Sequence, residues 1–147
     1  MKRVLLVVVI ALSLAGCGKS AEQVYFERMS EAAKRLTPAV SVLEQAVASP
    51  RTVVMDDDAQ AQIEASATTV HDINTLVNSL EAPEKFAASH AAYIRALGEM
   101  NAAATDLETA MGYVGDGEDV ASARAHMEKA TIGLESAAQL LDIETSD

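Results

Sequence analysis

The stretch that decides the fold is FAASHAAYIRALGEMNAAATDLETAMGYV, residues 86–114. Apolar side chains, with one histidine among them, recur along it at alternating intervals of four and three residues. The series consists of Phe86, His90, Tyr93, Leu97, Met100, Ala104, Leu107, Met111 and Val114. Because an α-helix has about 3.6 residues per turn, this spacing places every member on one side of a helix. The stretch therefore predicts a long amphipathic helix that faces a partner helix.

The next segment continues the same period and predicts a second helix of this kind. Its apolar stripe consists of Val120, Ala123, Met127, Ala130, Leu134, Ala137 and Leu141. Only Gly115-Asp116-Gly117 separates the two segments, and so short a connection favours an antiparallel helical hairpin. We expect Asp116 or Gly117 to cap the later helix, with Glu118 and Asp119 near the positive end of its dipole.

Two earlier segments carry comparable stripes. One runs from about Asp57 to Leu80, and its stripe is Ile63, Ser66, Val70, Ile73, Val77 and Leu80. The other runs from about Ala21 to Ala48, and its stripe is Tyr25, Met29, Ala32, Leu36, Ala39, Leu43 and Ala46, widened by Phe26, Val40 and Val47. Pro38 interrupts this first segment, and an interior proline removes one backbone hydrogen bond. We expect a helix kinked near Pro38, or two short helices with Thr37 as the cap of the second.

The composition agrees with an all-helical chain. Alanine is the commonest residue, tryptophan is absent, and there are only 7 glycines and 3 prolines. Alanine has the highest helix propensity, and no sustained alternation of apolar and polar residues indicates strands. We predict an all-α fold, an antiparallel up-down four-helix bundle. A pair of stacked hairpins resembling tetratricopeptide units is the alternative, although the chain shows no repeat of about 34 residues.

The first 16 residues have a different character. Met1-Lys2-Arg3 is basic, and the stretch from Val4 to Leu14 is apolar except for Ser13. As a helix this apolar stretch would span roughly 16 Å, which is short of the roughly 30 Å of a bilayer core. A basic start, a short apolar stretch and small residues at its end predict a cleaved secretory signal peptide.

The only cysteine of the chain directly follows that segment. Leu14-Ala15-Gly16-Cys17 resembles the lipobox of bacterial lipoproteins. The resemblance implies that the signal peptidase recognises Leu14, Ala15 and Gly16 and cuts before Cys17. It also implies that the Cys17 thiol carries a diacylglycerol, and that the new amino group can receive a further acyl chain such as palmitate. Two acyl chains hold a protein stably on a membrane, whereas one is marginal. An ordinary secreted protein with a stray cysteine is the alternative.

This interpretation divides the chain into a signal peptide (1–16), a lipidated tether (17–20) and an acidic helical bundle (21–147). The tether Cys-Gly-Lys-Ser is similar to the start of some efflux-pump adaptor lipoproteins that stay at the inner membrane. Gly18 is not the aspartate that commonly retains lipoproteins there. The periplasmic side of either membrane of a Gram-negative cell therefore remains open, and the resemblance favours the inner one.

Net charge restricts the choice of partners. The chain has 22 acidic and 11 basic residues, and removal of Lys2 and Arg3 with the signal peptide leaves a charge of about −13. Such a domain repels the phosphates of nucleic acids and anionic lipid head groups. We predict no nucleic-acid partner, attachment to the membrane through the lipid on Cys17, and an envelope protein of unknown identity as a possible partner.

His90 is the one candidate ligand residue, because it lies on the apolar stripe between Phe86 and Tyr93. If His90 is an axial haem ligand or a metal ligand, one of three methionines, Met29, Met100 or Met127, would be the ligand opposite it. The preferred interpretation is a partly buried histidine that is hydrogen-bonded to a neighbouring helix. No Cys-x-x-Cys-His and no helical metal-binding spacing of histidines is present, so we predict no cofactor.

Other chemistry has less support. His71 and His126 flank their stripes and are expected at solvent or at a helix edge. The acidic groups at 56–58 and 116–119 could bind calcium, but they lack the EF-hand spacing and stand where helices start, which favours capping. Since no Gly-x-Ser-x-Gly, P-loop or Rossmann motif occurs and the only cysteine would carry lipid, we predict that the protein is not an enzyme.

One further resemblance is loose. The stretch from Leu80 to Phe86, followed by His90, Tyr93 and Leu97, is similar to small helical lipoproteins and secreted bundles of unknown function, and it carries no known site. The sequence thus predicts a membrane-anchored extracytoplasmic lipoprotein that acts as an interaction, accessory or structural protein of the cell envelope. A bundle that binds haem or a metal through His90 is the alternative.

Overall fold

The computed structural model describes residues 20–49, 56–112 and 117–146, and these residues form helices and short connections without a strand. The four helices are α1 (Ala21–Ala48), α2 (Asp57–Asn78), α3 (Ala87–Gly112) and α4 (Glu118–Ser146), with a 3₁₀ turn, Glu84–Phe86, before α3. The all-α prediction is therefore confirmed, and α2 ends two residues earlier than expected. The signal peptide, the lipobox with Cys17, Val114 and Asp116 lie outside the described residues.

Local side-chain chemistry explains where the first two helices begin. At the start of α1, Ser20 Oγ accepts from the Gln23 N–H at 3.2 Å, and Gln23 Oε1 accepts from the Ser20 N–H at 3.0 Å. This reciprocal pair is a capping box, which satisfies two backbone donors that a helix start leaves free. At the start of α2, Asp56 Oδ1 accepts from the backbone N–H groups of Asp58 and Ala59. The capping role expected for residues 56–58 is confirmed.

A glycine occupies the position just before α4. The Gly117 carbonyl accepts the first helical hydrogen bond, from the Ala121 N–H at 3.0 Å, so Gly117 occupies the cap position. Its φ of 62° lies in the left-handed region, which glycine enters without steric cost. Of the two caps considered from the sequence, the structure shows Gly117 in this role.

Pro38 does not break α1. The helix runs through it as one element, and the proline lies on the exposed side. Thr37 does not start a second helix, because its hydroxyl donates back to the Ala33 carbonyl at 2.9 Å, as in a helix interior. The prediction of two short helices was therefore wrong. A continuous helix is possible because the missing hydrogen bond falls at the surface while Leu36 and Ala39 stay in the core.

The predicted stripes form the core. Side chains of all four stripes are buried, and the largest with almost no exposure are Leu43, Ile73, Leu97, Met100, Leu107, Val70 and Val77. α3 packs most extensively against α4 and also against α2, and α1 packs mainly against α2. Helix packing is thus that of a bundle in which α3 contacts every other helix. Within the described residues, no helix has the length and apolarity that crossing a bilayer requires.

The contact between α3 and α4 depends on a glycine. A Cβ atom placed on Gly133 of α4 would lie 2.9 Å from the Ala96 Cβ of α3 and 3.3 Å from its Cα. Neither atom is the end of a flexible side chain, so the two backbones could not keep this separation. The separation of α3 and α4 at this contact therefore requires Gly133.

We predict that Gly133→Ala destabilises the protein by about 1–3 kcal/mol, because overpacking outweighs the gain in helix propensity of up to about 1 kcal/mol. Gly98→Ala is the matched control, since a Cβ there meets no atom within 4 Å. It should raise the free energy of unfolding by up to about 1 kcal/mol. Urea titrations of both variants measure the two values, and equal stability of the two variants would contradict the proposed close contact.

Candidate functional site

His90 lies in the first turn of α3 and is buried, with 8% of its surface exposed. Its Nδ1 atom is 3.1 Å from the hydroxyl of Tyr25 on α1. In a neutral ring with its proton on Nε2, Nδ1 accepts a hydrogen bond from the Tyr25 hydroxyl. The ring therefore joins the start of α3 to α1.

Aromatic rings surround this hydrogen bond. The rings of Tyr25 and Phe86 are stacked, with centroids 6.1 Å apart, and Phe26 meets Phe86 edge-on at 4.8 Å. His90 stands edge-on to Tyr25 at 5.6 Å. The chain has only five aromatic residues, so this end of the helices holds most of its aromatic surface. We call Tyr25, Phe26, Phe86 and His90 the aromatic cluster.

Burial changes the acid–base properties of the aromatic cluster. The pKa of the Tyr25 hydroxyl is raised to about 12, mainly by burial and then by the negative charge of Glu144. The pKa of His90 is lowered, because burial disfavours the charged ring more than the Leu80 carbonyl favours it. His90 is therefore neutral near pH 7, and Tyr25 keeps the proton that it donates.

The carboxylate of Glu144, from the last turns of α4, lies at the start of α3, near Tyr25. Its Oε1 accepts from the Ser89 N–H, in the first turn of α3, at 3.2 Å. A carboxylate there satisfies a free backbone donor and faces the positive end of the α3 dipole. The Ser89 hydroxyl bonds back to the Phe86 carbonyl at 3.1 Å. The start of α3 is thus capped from a distant helix, which no local sequence motif indicated.

The observed contacts give His90 a structural role. Its Nδ1 is engaged by the Tyr25 hydroxyl, so a metal or haem iron could bind this nitrogen only after that contact was broken. The three methionines named as possible second ligands are buried or half-buried: Met29 on α1, Met100 on α3 and Met127 on α4. Haem binding stays a prediction, and a Soret shift that is lost in His90→Ala is the measurement that bears on it.

The other two histidines lie at helix edges, as the sequence suggested, but their partners were not foreseen. His71 of α2 and His126 of α4 each contact polar side chains of α3. A pairing of polar residues seven positions apart on α3 was the available signal. In residues 20–49, 56–112 and 117–146, no three or more His, Cys, Asp or Glu side chains are grouped so that they could hold a metal ion.

Comparison with known protein families, with curated proteins and with solved structures found no match for this chain.

We predict that Tyr25→Phe lowers the free energy of unfolding by about 1–2 kcal/mol, because it leaves the buried Nδ1 of His90 without a donor. Tyr93→Phe is the matched control: it makes the same chemical change at a half-buried tyrosine whose side chain makes no hydrogen bond to residues 20–49, 56–112 or 117–146. Thermal and urea unfolding of the two variants measure the difference. If Tyr93→Phe proved as costly as Tyr25→Phe, the hydrogen bond would not have the stabilising role assigned to it.

Proposed function

We propose that this protein is a lipoprotein of the bacterial envelope that holds an acidic helical bundle next to a membrane and binds another envelope protein there. The observation that carries the proposal is the lipobox, Leu14-Ala15-Gly16-Cys17. The start of α1 supports it, because the capping box at Ser20 begins the bundle only three residues after Cys17. Three extended residues span at most about 10 Å, so a lipid on Cys17 would keep the bundle close to the head groups.

We further propose that the four helices alternate in direction. Tyr25 and His90 join the starts of α1 and α3, and Ser89 and Glu144 join the start of α3 to the end of α4. At the other end, the Arg124 side chain, near the start of α4, donates to the Val47 carbonyl, near the end of α1. These contacts are the ones that an up-down arrangement produces. The membrane tether would then leave the bundle at the end that holds the aromatic cluster.

The surface of α4 supports a binding role. Ile132 and Ile143 are 66% and 62% exposed, and with Val24 they are the exposed large hydrophobic residues among those described. They lie eleven residues apart on α4, which is close to three helical turns and so places them on one side. Carboxylates of Glu128, Glu135 and Asp142 lie on the same helix. The surface thus suits a partner that offers apolar side chains flanked by basic ones.

Cys17→Ser tests the attachment. We expect native Cys17 to begin the mature chain and to carry a diacylglyceryl group, as measured by mass spectrometry of the N-terminal peptide. The serine variant cannot carry the lipid at residue 17. It should be recovered in the soluble fraction or as the uncleaved precursor, and no longer as a mature protein of the membrane fraction. Ser13→Ala is the control, because it leaves the four lipobox residues intact. An unmodified thiol, or equal membrane attachment of the serine variant, would refute the proposal.

A second experiment tests the partner. Crosslinking in intact cells of the native host, followed by purification of the tagged protein, should recover an envelope protein. We expect its yield to fall several-fold in Ile132→Asp/Ile143→Asp, since two carboxylates would replace the exposed apolar contacts. Ala61→Asp adds a charge at an exposed position of α2, away from this surface, and should leave the yield unchanged. Equal recovery with all three proteins would place the contact elsewhere.

A further inference from the structure

Polar residues flank the apolar stripe of α3 in two pairs. Glu99 and Asp106 are seven residues apart on one flank, and Asn101 and Glu108 are seven apart on the other. Seven residues are close to two helical turns, so the members of each pair stand one above the other. Each pair has a histidine of a neighbouring helix between its members, so α3 has one imidazole on each side.

On one side, His71 of α2 reaches both members of its pair. Its Nδ1 lies 2.6 Å from Asn101 Oδ1, and its Nε2 lies 3.2 Å from Glu108 Oε2. The pKa of His71 is raised chiefly by the hydrogen bond to Asn101 and further by the bond and charge of Glu108, while burial opposes the rise. Asp72, which lies 3.9 Å from Arg35 of α1, is the other nearby charge and acts in the same direction.

On the other side, His126 of α4 reaches one member of its pair and stops short of the second. Its Nδ1 lies 2.7 Å from Glu99 Oε2, whereas its Nε2 is 3.9 Å from Asp106 Oδ2. That Asp106 oxygen is buried and has no hydrogen-bond partner. Lys129, 3.8 Å from Glu99, is the nearby cation. An unpaired buried oxygen is costly, and the Nε2 of this ring lies about 0.9–1.2 Å beyond the usual N–H···O distance of about 2.7–3.0 Å from it.

The protonation state of each ring decides how many of these bonds can form. A neutral imidazole has one donor and one acceptor, and an ionised carboxylate only accepts. Neutral His126 can therefore satisfy Glu99 or Asp106 but not both. A protonated ring donates from both nitrogens and matches both carboxylates. The same proton lets His71 donate to Asn101 and Glu108 at once.

We propose that His71 and His126 form an acid-closed clamp on α3, in which each protonated imidazole donates to two side chains of α3 and fastens α2 and α4 to it. Closing the clamp on the α4 side moves Nε2 of His126 to within hydrogen-bond distance of Asp106. The bundle is then held more tightly in mildly acidic surroundings than in alkaline ones.

The sign of the pH effect follows from where the proton is held. Folding raises the pKa of His71, so its proton stabilises the fold fully below the ordinary pKa of about 6.5, and this stabilisation is lost as the pH rises through the higher folded value. On the other side the same sign follows from geometry, because only a protonated His126 ring can donate to Asp106 as well as to Glu99. His90 acts in the opposite direction, because its lowered pKa makes its protonation destabilising as the pH falls below about 6.5. Its contribution is common to all the variants below and cancels when they are compared.

Equilibrium urea unfolding of the intact protein at pH 8 and pH 6 tests the clamp. We define the acid gain as the unfolding equilibrium constant at pH 8 divided by that at pH 6. His71→Gln and His126→Gln should each reduce the acid gain by roughly fivefold, the effect of one favourable, partly exposed ion pair. Asp106→Asn should do the same, because it removes the carboxylate that the second donor of His126 would reach.

Asp142→Asn is the control for the loss of one negative charge, since Asp142 is an exposed carboxylate of α4. It should leave the acid gain as in the wild type. The clamp is refuted if either histidine variant or Asp106→Asn keeps the full wild-type acid gain, or if Asp142→Asn lowers it as much as Asp106→Asn does.

Discussion

The packing of α3 is the constraint on which the other features of this structure depend. Its apolar stripe lies against α2 and α4, and the contact with α4 is so close that a single added carbon on Gly133 would collide with Ala96. Interiors as dense as this leave no room for an extra methyl group. α1 depends on this arrangement indirectly, because it packs mainly on α2, and Tyr25 joins it to His90 of α3.

Polar side chains near this core find their hydrogen-bond partners on α3. The start of α3 needs partners for its free N–H groups, and Glu144 supplies one from the far end of α4. Two imidazoles, one from α2 and one from α4, contact acceptor side chains on the flanks of α3. Because a buried polar group without a partner is costly, each such contact also selects the alignment of the helices that form it. The buried Oδ2 of Asp106, which has no hydrogen-bond partner, marks a flank of α3 where this match is incomplete.

The proposed role rests on attachment of the protein to a membrane through Cys17, and not on a reactive group. A lipid on Cys17 would sit beside the end of the bundle that holds the aromatic cluster. The acidic surface would limit contact with anionic head groups, while the exposed isoleucines of α4 would remain free for a protein partner. A protein held outside the cytoplasm, as proposed, would meet changes of pH, and a clamp that tightens in acid would keep its helices together there.

The sequence by itself determined the helices, because their signals are local. The spacing of Leu97, Met100 and Leu107 predicts which side of α3 is buried, and Ser20 and Asp56 mark helix starts through hydrogen bonds within three residues. Tertiary structure decided the contacts between residues far apart in the chain: the Gly133–Ala96 approach, the Glu144 cap, the two imidazoles beside α3, and the continuity of α1 through Pro38. These depend on how helices are aligned along and around one another. Helix periodicity specifies only which side of each helix is apolar, and leaves that alignment to packing.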